Sequence, residues 1–467
     1  MEVEVISNEI IKPSSPTPQN LRRYRLSFLD QISPKSYSPF LYYYSLNDHN
    51  GDPSYIAEIS DKLKKSLSQA LTLYYPLAGR FLDNNFLECN DDGALFFEAR
   101  VKTKLSDVLE NPIPIELNKL LPFQLDEIAE IPLGVQLNVF KCGGIAIGLC
   151  FSHRVEDALS CLVFIRNWMA IARGENDIVV PPELISGDRF PPRDMGGSDP
   201  ASVAIIKNMC TTNMTKRFVF DAPMIEALRA KYEERKSTEA GLTHNNNNHY
   251  NLPPRRLSRI EAISTFLWSR FMVATISVES EAGKNYQILH PVNIRPRCDP
   301  PLAENSFGNY YYVPLTRGSI TSACTGDENC YNLARKMGEE MRKIDKEFVK
   351  NIPVKGDELL GSIKKDAENF IKGKEVRFFI TSLCRFPLYE ADFGFGNPEW
   401  VSSAARGFCD LVALLDNKSG DGIEAYICLK PDAMARLEAD PEFLAFVSPN
   451  VAVPRDVITK NALVNGA

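Results

Sequence analysis

Apolar residues recur along this chain with two spacings, and each predicts a different element. Ile56, Ile59, Leu63, Leu67, Leu71 and Tyr74 return every three or four positions, which predicts an amphipathic helix that must stop before Pro76. Leu159, Leu162, Ile165, Met169 and Ile171 repeat that spacing after Asp157 and end at Arg173-Gly174, predicting a second helix. Further helices are expected over 258–274 and 332–349. Residues 86–89 and 95–98 flank Asn90-Asp-Asp-Gly93 and read as a hairpin, and 408–415 with 423–429 around Asn417–Gly422 read as another. The run from Gly143 to Phe151 is apolar without alternation, the pattern of a strand covered on both faces.

With 467 residues the chain exceeds what one hydrophobic core usually supports, so two domains of roughly 200 residues are expected. The stretch from Val179 to Asn213 is rich in Pro, Gly and Asp and reads as the connection between them. That places an N-terminal lobe at 1–180, a crossover at 181–213 and a C-terminal lobe at 214–467, in a mixed α/β fold of two lobes. Thr243–Tyr250, with four consecutive asparagines, reads as a surface insertion.

Composition narrows the classes of function. A net charge of −7 lacks the basic footprint of a nucleic-acid partner. The eleven cysteines are scattered with no CxxC pair and no metal-ligand spacing, which suits free thiols in a reducing compartment. The N-terminus is acidic and has no apolar signal core, and no apolar run reaches the ~20 residues needed to cross a bilayer. The chain reads as cytosolic, without membrane insertion.

Five histidines are present. His49, His244 and His249 lie in polar loop sequence and His290 precedes a proline, whereas His153 stands where the apolar run meets a helix, in Ser152-His-Arg-Val-Glu-Asp157. A general base held rigidly beside a substrate would be delivered in this way. Two plainer roles compete: His153 as a satisfied strand-end residue, and Asp157 as the cap of the helix beginning at Ala158. Nucleophile elbow, Walker A loop, dinucleotide turn and His-Glu-x-x-His metal helix are all absent from the sequence. Glu156 and Asp157 bring no second His or Cys, so no metal site is expected, and acid–base chemistry by one histidine is what remains.

His153-x-x-x-Asp157 together with Asp392-Phe-Gly-Phe-Gly-Asn-Pro398 resembles the two signature motifs of the plant BAHD acyltransferases. Leu26-Ser-Phe-Leu-Asp30, Tyr75-Pro-Leu-Ala-Gly-Arg80, Val292-Asn-Ile-Arg295, Phe307-Gly-Asn309 and Asp421-Gly-Ile-Glu-Ala425 extend the likeness over nearly the whole chain. The resemblance implies two lobes, each like chloramphenicol acetyltransferase, with mixed sheets covered by helices and a channel between them. It implies an acyl-CoA-dependent O-acyltransferase with no tightly bound cofactor and no acyl-enzyme. His153 would take the acceptor proton and return it to the CoA thiolate. Asp157 would pair with Arg295 to hold the His153 loop. Asp392, Phe393, Gly394, Phe395 and Gly396 would be a structural loop away from the reaction. Ser258, at a helix N-terminus, and Arg295 are the expected cofactor contacts, with a bare N-cap as the alternative for Ser258.

Within the family the N-terminal segment and Asn309-Tyr310 resemble the subgroup of vinorine synthase, salutaridinol acetyltransferase and deacetylvindoline acetyltransferase. That favours acetyl-CoA as co-substrate, a polycyclic alkaloid or terpenoid alcohol as acceptor, and a monomer. A benzoyl or hydroxycinnamoyl transferase is the alternative. A non-catalytic relative that binds a partner is a second one, raised by two departures from the family pattern. Phe395 stands where the family usually has Trp, and Glu156 where small residues are common; Glu156 is expected to face solvent near Arg154.

Overall fold

The computed structural model describes residues 1–46, 52–125, 127, 130–196, 213–232, 256–275, 285–318, 327–449 and 451–454. His49, His244, His249, the Asn tract and about half of the expected crossover, from 197 to 212, lie outside the described residues. Two large sheets organise the rest.

The first sheet contains β1 (Val3–Ile11), β2 (Tyr37–Tyr44), β3 (Ala94–Val101), β4 (Leu133–Phe140) and β5 (Ile145–Ser152), in the order β1-β3-β4-β5-β2. All eight residues of β5 are buried, which is why its sequence is apolar without alternation. Helix α1 (Pro53–Leu73) covers one face with Ile59, Leu63, Leu67 and Leu71, and helix α2 (Ala158–Arg173) packs beside it.

The second sheet contains β6 (Met214–Phe220), β7 (Asn285–Leu289), β8 (Leu315–Gly318), β9 (Glu375–Ser382), β11 (Leu411–Asp416), β12 (Ile423–Leu429) and β13 (Ser448–Pro449). Their order is β8-β7-β9-β11-β12-β6-β13, mixed parallel and antiparallel. On β9, Phe378 sits in the core beneath helix α3 (Arg259–Thr275), while Phe379 and Thr381 face the opposite way, onto a cavity. The period of two along a strand thus splits β9 between core and cavity wall.

Strand β10 (Trp400–Ser402) leaves the C-terminal part of the chain and pairs antiparallel with β2, completing the first sheet. Trp400 is fully buried, stacks on Tyr43 at 4.8 Å and donates its indole N–H to Glu424 on β12. Glu424 is held by Arg217 of β6 in a two-pronged ion pair at 2.7 and 2.6 Å. One side chain therefore ties the two sheets together, and the first sheet is not built from residues 1–180 alone.

Two local expectations need correction. Residues 86–88 and 94–101 do not form a hairpin with each other. The first segment joins a small sheet with 23–25 and 80–81, and the second enters the large sheet between β1 and β4. Asp91 and Gly93, at φ +59° and +87°, redirect the chain between sheets. The helix expected over 332–349 is two helices, α4 (Asp327–Arg342) and α5 (Lys346–Ile371), separated where the Asp345 side chain caps the amide of Phe348.

Candidate active site

Strand β5 ends at Ser152, and the His153 amide donates to the Ser36 carbonyl at 3.0 Å, tying the start of the loop to the lead-in of β2. Asp157 is the N-cap of α2: its Oδ1 accepts the Ser160 amide at 3.0 Å. Between them, Arg154 lies over the Phe81 ring at 3.7 Å and Val155 is buried.

The Asp157 carboxylate also meets Arg295. The guanidinium donates through Nη1 to Oδ2 at 2.7 Å and through Nη2 to Oδ1 at 3.0 Å, a bidentate pair with both partners buried. Oδ2 accepts the Tyr310 amide at 2.9 Å as well. Burial alone would raise this carboxyl, but the Arg295 charge and hydrogen bonds, with the amides of Ser160 and Tyr310, outweigh it and hold it below the usual carboxylate range. Capping and ion pairing, two competing expectations for Asp157, are both present.

Arg295 also donates to the carbonyls of Ser306 and Gly308 and to the Ser160 hydroxyl. Gly308 adopts φ +139°, and a Cβ there would lie 2.8 Å from the Ser186 side chain, so this close passage requires glycine. Arg295 is 2 % exposed with its fork turned to Asp157 and these carbonyls. Arg295, expected as a cofactor contact, does not line the cavity beside His153, and its donors are spent on Asp157 and these carbonyls.

His153 lines a cavity of about 920 Å³ whose walls come from both sheets and from α5. Ser36, Ser38 and Phe40 approach from the β2 side, Phe379 and Thr381 from β9, and Tyr311 stands with its ring 5.5 Å from the imidazole. The exposure His153 retains is toward this cavity. Burial, the largest influence, depresses its pKa and Arg406 acts in the same direction; Asp157, its own backbone carbonyl and Asn309 oppose, and the net lies below 6.5. The ring is neutral at pH 7, with one nitrogen available to accept a proton.

Among the described residues five cations line the cavity, Arg317, Lys343, Lys365, Arg377 and Arg406, against two anions, Glu340 and Asp366. Ser258 does not line it. Ser258 and Glu261 form a reciprocal capping box at the start of α3, and Arg259 is engaged by Asp416 and the Gly420 carbonyl. The geometry is that of the N-cap alternative.

The 392–396 loop also lies off the cavity. Asp392 Oδ1 accepts the amides of Gly394, Phe395 and Gly396 at 2.7, 3.1 and 2.9 Å, with both glycines at positive φ. Phe393 packs on Trp168 at 4.8 Å and Phe395 on Tyr44 at 4.9 Å. Phe395 needs no indole N–H in this loop, because its contact is a ring edge against a ring face.

Glu156 overturns the expectation of a solvated side chain. It is fully buried, neither oxygen makes a hydrogen bond by ordinary geometric limits, and the Cys161 thiol, a weak donor, is the polar neighbour that eases its burial. Burial first, and the Asp157 charge second, push its pKa well above 4.5, which favours the protonated form. A raised folded-state pKa contributes stability that is full below the unfolded value and is lost as pH climbs through the folded one. Glu156→Met, which keeps the volume and removes the unpaired oxygens, is expected to stabilise the fold by about 1–3 kcal/mol. The gain in urea-unfolding midpoint should be larger at pH 8 than at pH 5; the reverse order would contradict this account.

Among the described residues no cluster of His, Cys, Asp and Glu is arranged to hold a metal ion. The residues that sequence reasoning did not single out are Asn309 and Asp30. Asn309 Oδ1 lies 3.1 Å from His153 Nδ1, and Asp30 holds the Asn309 amide. Both fell inside quoted motifs, but nothing in their spacing brings positions 30, 153 and 309 together.

Comparison with known proteins gives a consistent result. A family model described as the Transferase family matches residues 1–444. A limonoid 21-O-acetyltransferase of Citrus sinensis is 36 % identical over 462 residues, covering 97 % of this chain and all of that protein. Stemmadenine O-acetyltransferase of Catharanthus roseus is 33 % identical over 448 residues, covering 94 % of this chain and 97 % of that one. Among solved structures, vinorine synthase superposes with a TM-score of 0.78 at 31 % identity, covering 96 % of this chain and 99 % of the other.

Proposed function

The chain belongs to the BAHD family of acyl-CoA-dependent transferases, and from that membership we propose that it moves an acetyl group from acetyl-CoA to a hydroxyl of a polycyclic plant terpenoid or alkaloid, with His153 as general base. The observation that carries the reading is a neutral imidazole on the wall of a cavity large enough for an organic acceptor beside a thioester. As the acceptor oxygen attacks the thioester carbonyl, its proton passes to Nε2 of His153. The C–O bond forms, the C–S bond breaks, and the same proton leaves on the CoA thiol. The acetyl group never bonds to the protein, so two bound substrates must be aligned at once. The surplus of cations around the cavity suits the phosphates of a CoA donor.

Among the described residues no helix is long and apolar enough to cross a membrane. A cytosolic monomer with an N-terminal lobe at 1–180 and a C-terminal lobe at 214–467 completes the proposal. The lobes share one strand, because β10 lies in the first sheet.

The test is acetyl transfer to a pooled panel of limonoid, triterpenoid and indole-alkaloid alcohols, read by mass spectrometry as the gain of one acetyl group. Benzoyl-CoA and p-coumaroyl-CoA run beside acetyl-CoA. Acetylation of one panel member is expected. Transfer from the larger donors alone would move the assignment to an aroyl transferase, and failure to bind any acyl-CoA would point to a non-catalytic partner role.

A further inference from the structure

We propose that Asn309, anchored by Asp30, is a positioning residue that fixes the tautomer of His153, so that Nδ1 carries the hydrogen and Nε2 presents its lone pair to the cavity. This rests on the reading of His153 as the base and names what orients it.

The argument begins with what each neighbour can donate or accept. Asn309 is fully buried, and its amide has two chemically different ends. Nδ2 lies 2.9 Å from Asp30 Oδ1 and 3.0 Å from the His153 carbonyl. Both of those oxygens accept and neither donates, so the NH₂ end must occupy that position; turning the amide over would set three acceptors against one another. The carbonyl end is then obliged to face His153 Nδ1 at 3.1 Å, and an acceptor there requires a hydrogen on Nδ1.

Asp30 holds the amide from the other side. Its Oδ1 accepts both the backbone and side-chain N–H of Asn309, at 3.0 and 2.9 Å. Its Oδ2 accepts the amide and hydroxyl of Ser27, each at 2.7 Å. Burial pushes the Asp30 carboxyl up to about 6 against these four hydrogen bonds and a longer one from the Ser186 hydroxyl at 3.4 Å, so above that pH it is a carboxylate that only accepts, which removes the freedom of Asn309 to rotate. Asp30 is 3 % exposed, and its site is formed by residues from both halves of the chain.

The charged and aromatic groups that face the imidazole are Asp157, Arg406 and Tyr311. The Asp157 oxygens are engaged by Arg295, Ser160 and Tyr310, so the carboxylate four residues beyond the histidine is not the group that orients it. The orienting contact is a neutral amide. It fixes the tautomer without the pKa rise that a carboxylate at Nδ1 would impose, and so leaves the ring unprotonated and ready to accept.

The test uses the full-length protein labelled with ¹⁵N-histidine and two-bond ¹H–¹⁵N correlation of the imidazoles. His153 is assigned by the signal absent in His153→Ala. The wild type is expected to show Nδ1–H with an unprotonated Nε2 above pH 7. Asn309→Leu is expected to shift His153 toward the other tautomer and lower kcat by about 10²–10⁴, with KM for acetyl-CoA within about twofold. Nε2–H in the wild type, or kcat in Asn309→Leu within about threefold of wild type, overturns the proposal. Should Asn309→Leu fail to fold, Asn309→Ala takes its place with the same two readouts, and an unchanged His153 tautomer or kcat within about threefold of wild type overturns the proposal. Undiminished activity in His153→Ala would sink the general-base reading itself, whereas His153-dependent activity with Nε2–H would sink only the role of Asn309.

Discussion

Replacing His153 by alanine is expected to lower kcat by about 10³–10⁴ while leaving folding and acetyl-CoA affinity close to wild type, because the ring serves twice in one turnover. It takes the acceptor proton at attack and returns it when CoA leaves, so its removal burdens both bond changes. The side chain is half-buried on a cavity wall and contributes no packed core volume, so circular dichroism and melting should change little. The pH profile supplies an independent check. Burial sets the His153 pKa below 6.5, so wild-type kcat/KM should be level above pH 7 and fall about tenfold per unit only on the acid side of that depressed value. An acid limb centred above 6.5 would mean that the imidazolium is stabilised in the working enzyme. A His153→Ala variant retaining about a tenth of wild-type kcat would remove the histidine from the mechanism.

Residues that act through their own neighbours in sequence were legible, and residues that act across the fold were not. The helical spacing of Ile59, Leu63, Leu67 and Leu71 is satisfied within α1, and the Asp157 cap within four residues of α2. The apolar run that delivers His153 is buried along its whole length. The contact of Asn309 with His153, by contrast, spans 156 positions, and that of Asp30 with Asn309 spans 279. No period in the sequence encodes either, and only the two sheets closing on one another bring them together. Glu156 was misjudged for a related reason. Neighbours on a first helical turn point different ways, but here Glu156 is buried beside the Cys161 thiol instead of meeting solvent. The false hairpin at 86–98 had the right turn residues and the right strands, but each strand finds better partners in a different sheet.

Removing one partner of the Asp157–Arg295 pair should give the largest loss of stability, about 3–5 kcal/mol for Asp157→Asn or Arg295→Met. Asp157→Asn leaves a guanidinium that is 2 % exposed without its counter-charge, while the amide still fills the space. Arg295→Met leaves a buried carboxylate and strips donors from the carbonyls of Ser306 and Gly308. The pH dependence has a definite sign. A carboxyl with a depressed folded-state pKa contributes stability that is full above its unfolded value and is lost as pH falls through the folded one. The deficit of Asp157→Asn should therefore be complete at pH 7 and shrink in acid, measured as the difference in urea midpoint from wild type. The double variant Asp157→Leu/Arg295→Met separates charge burial from loop tethering. Replacing a buried pair by apolar groups of similar size removes the uncompensated charge, so part of the stability should return. Activity should not return with it. Arg295 binds the 306–308 carbonyls and Asp157 binds the Tyr310 amide, so together they join the segment carrying His153 to the segment carrying Asn309. A double variant that regains full kcat along with its stability would show that the pair only balances charge and that the register of His153 against Asn309 is set elsewhere.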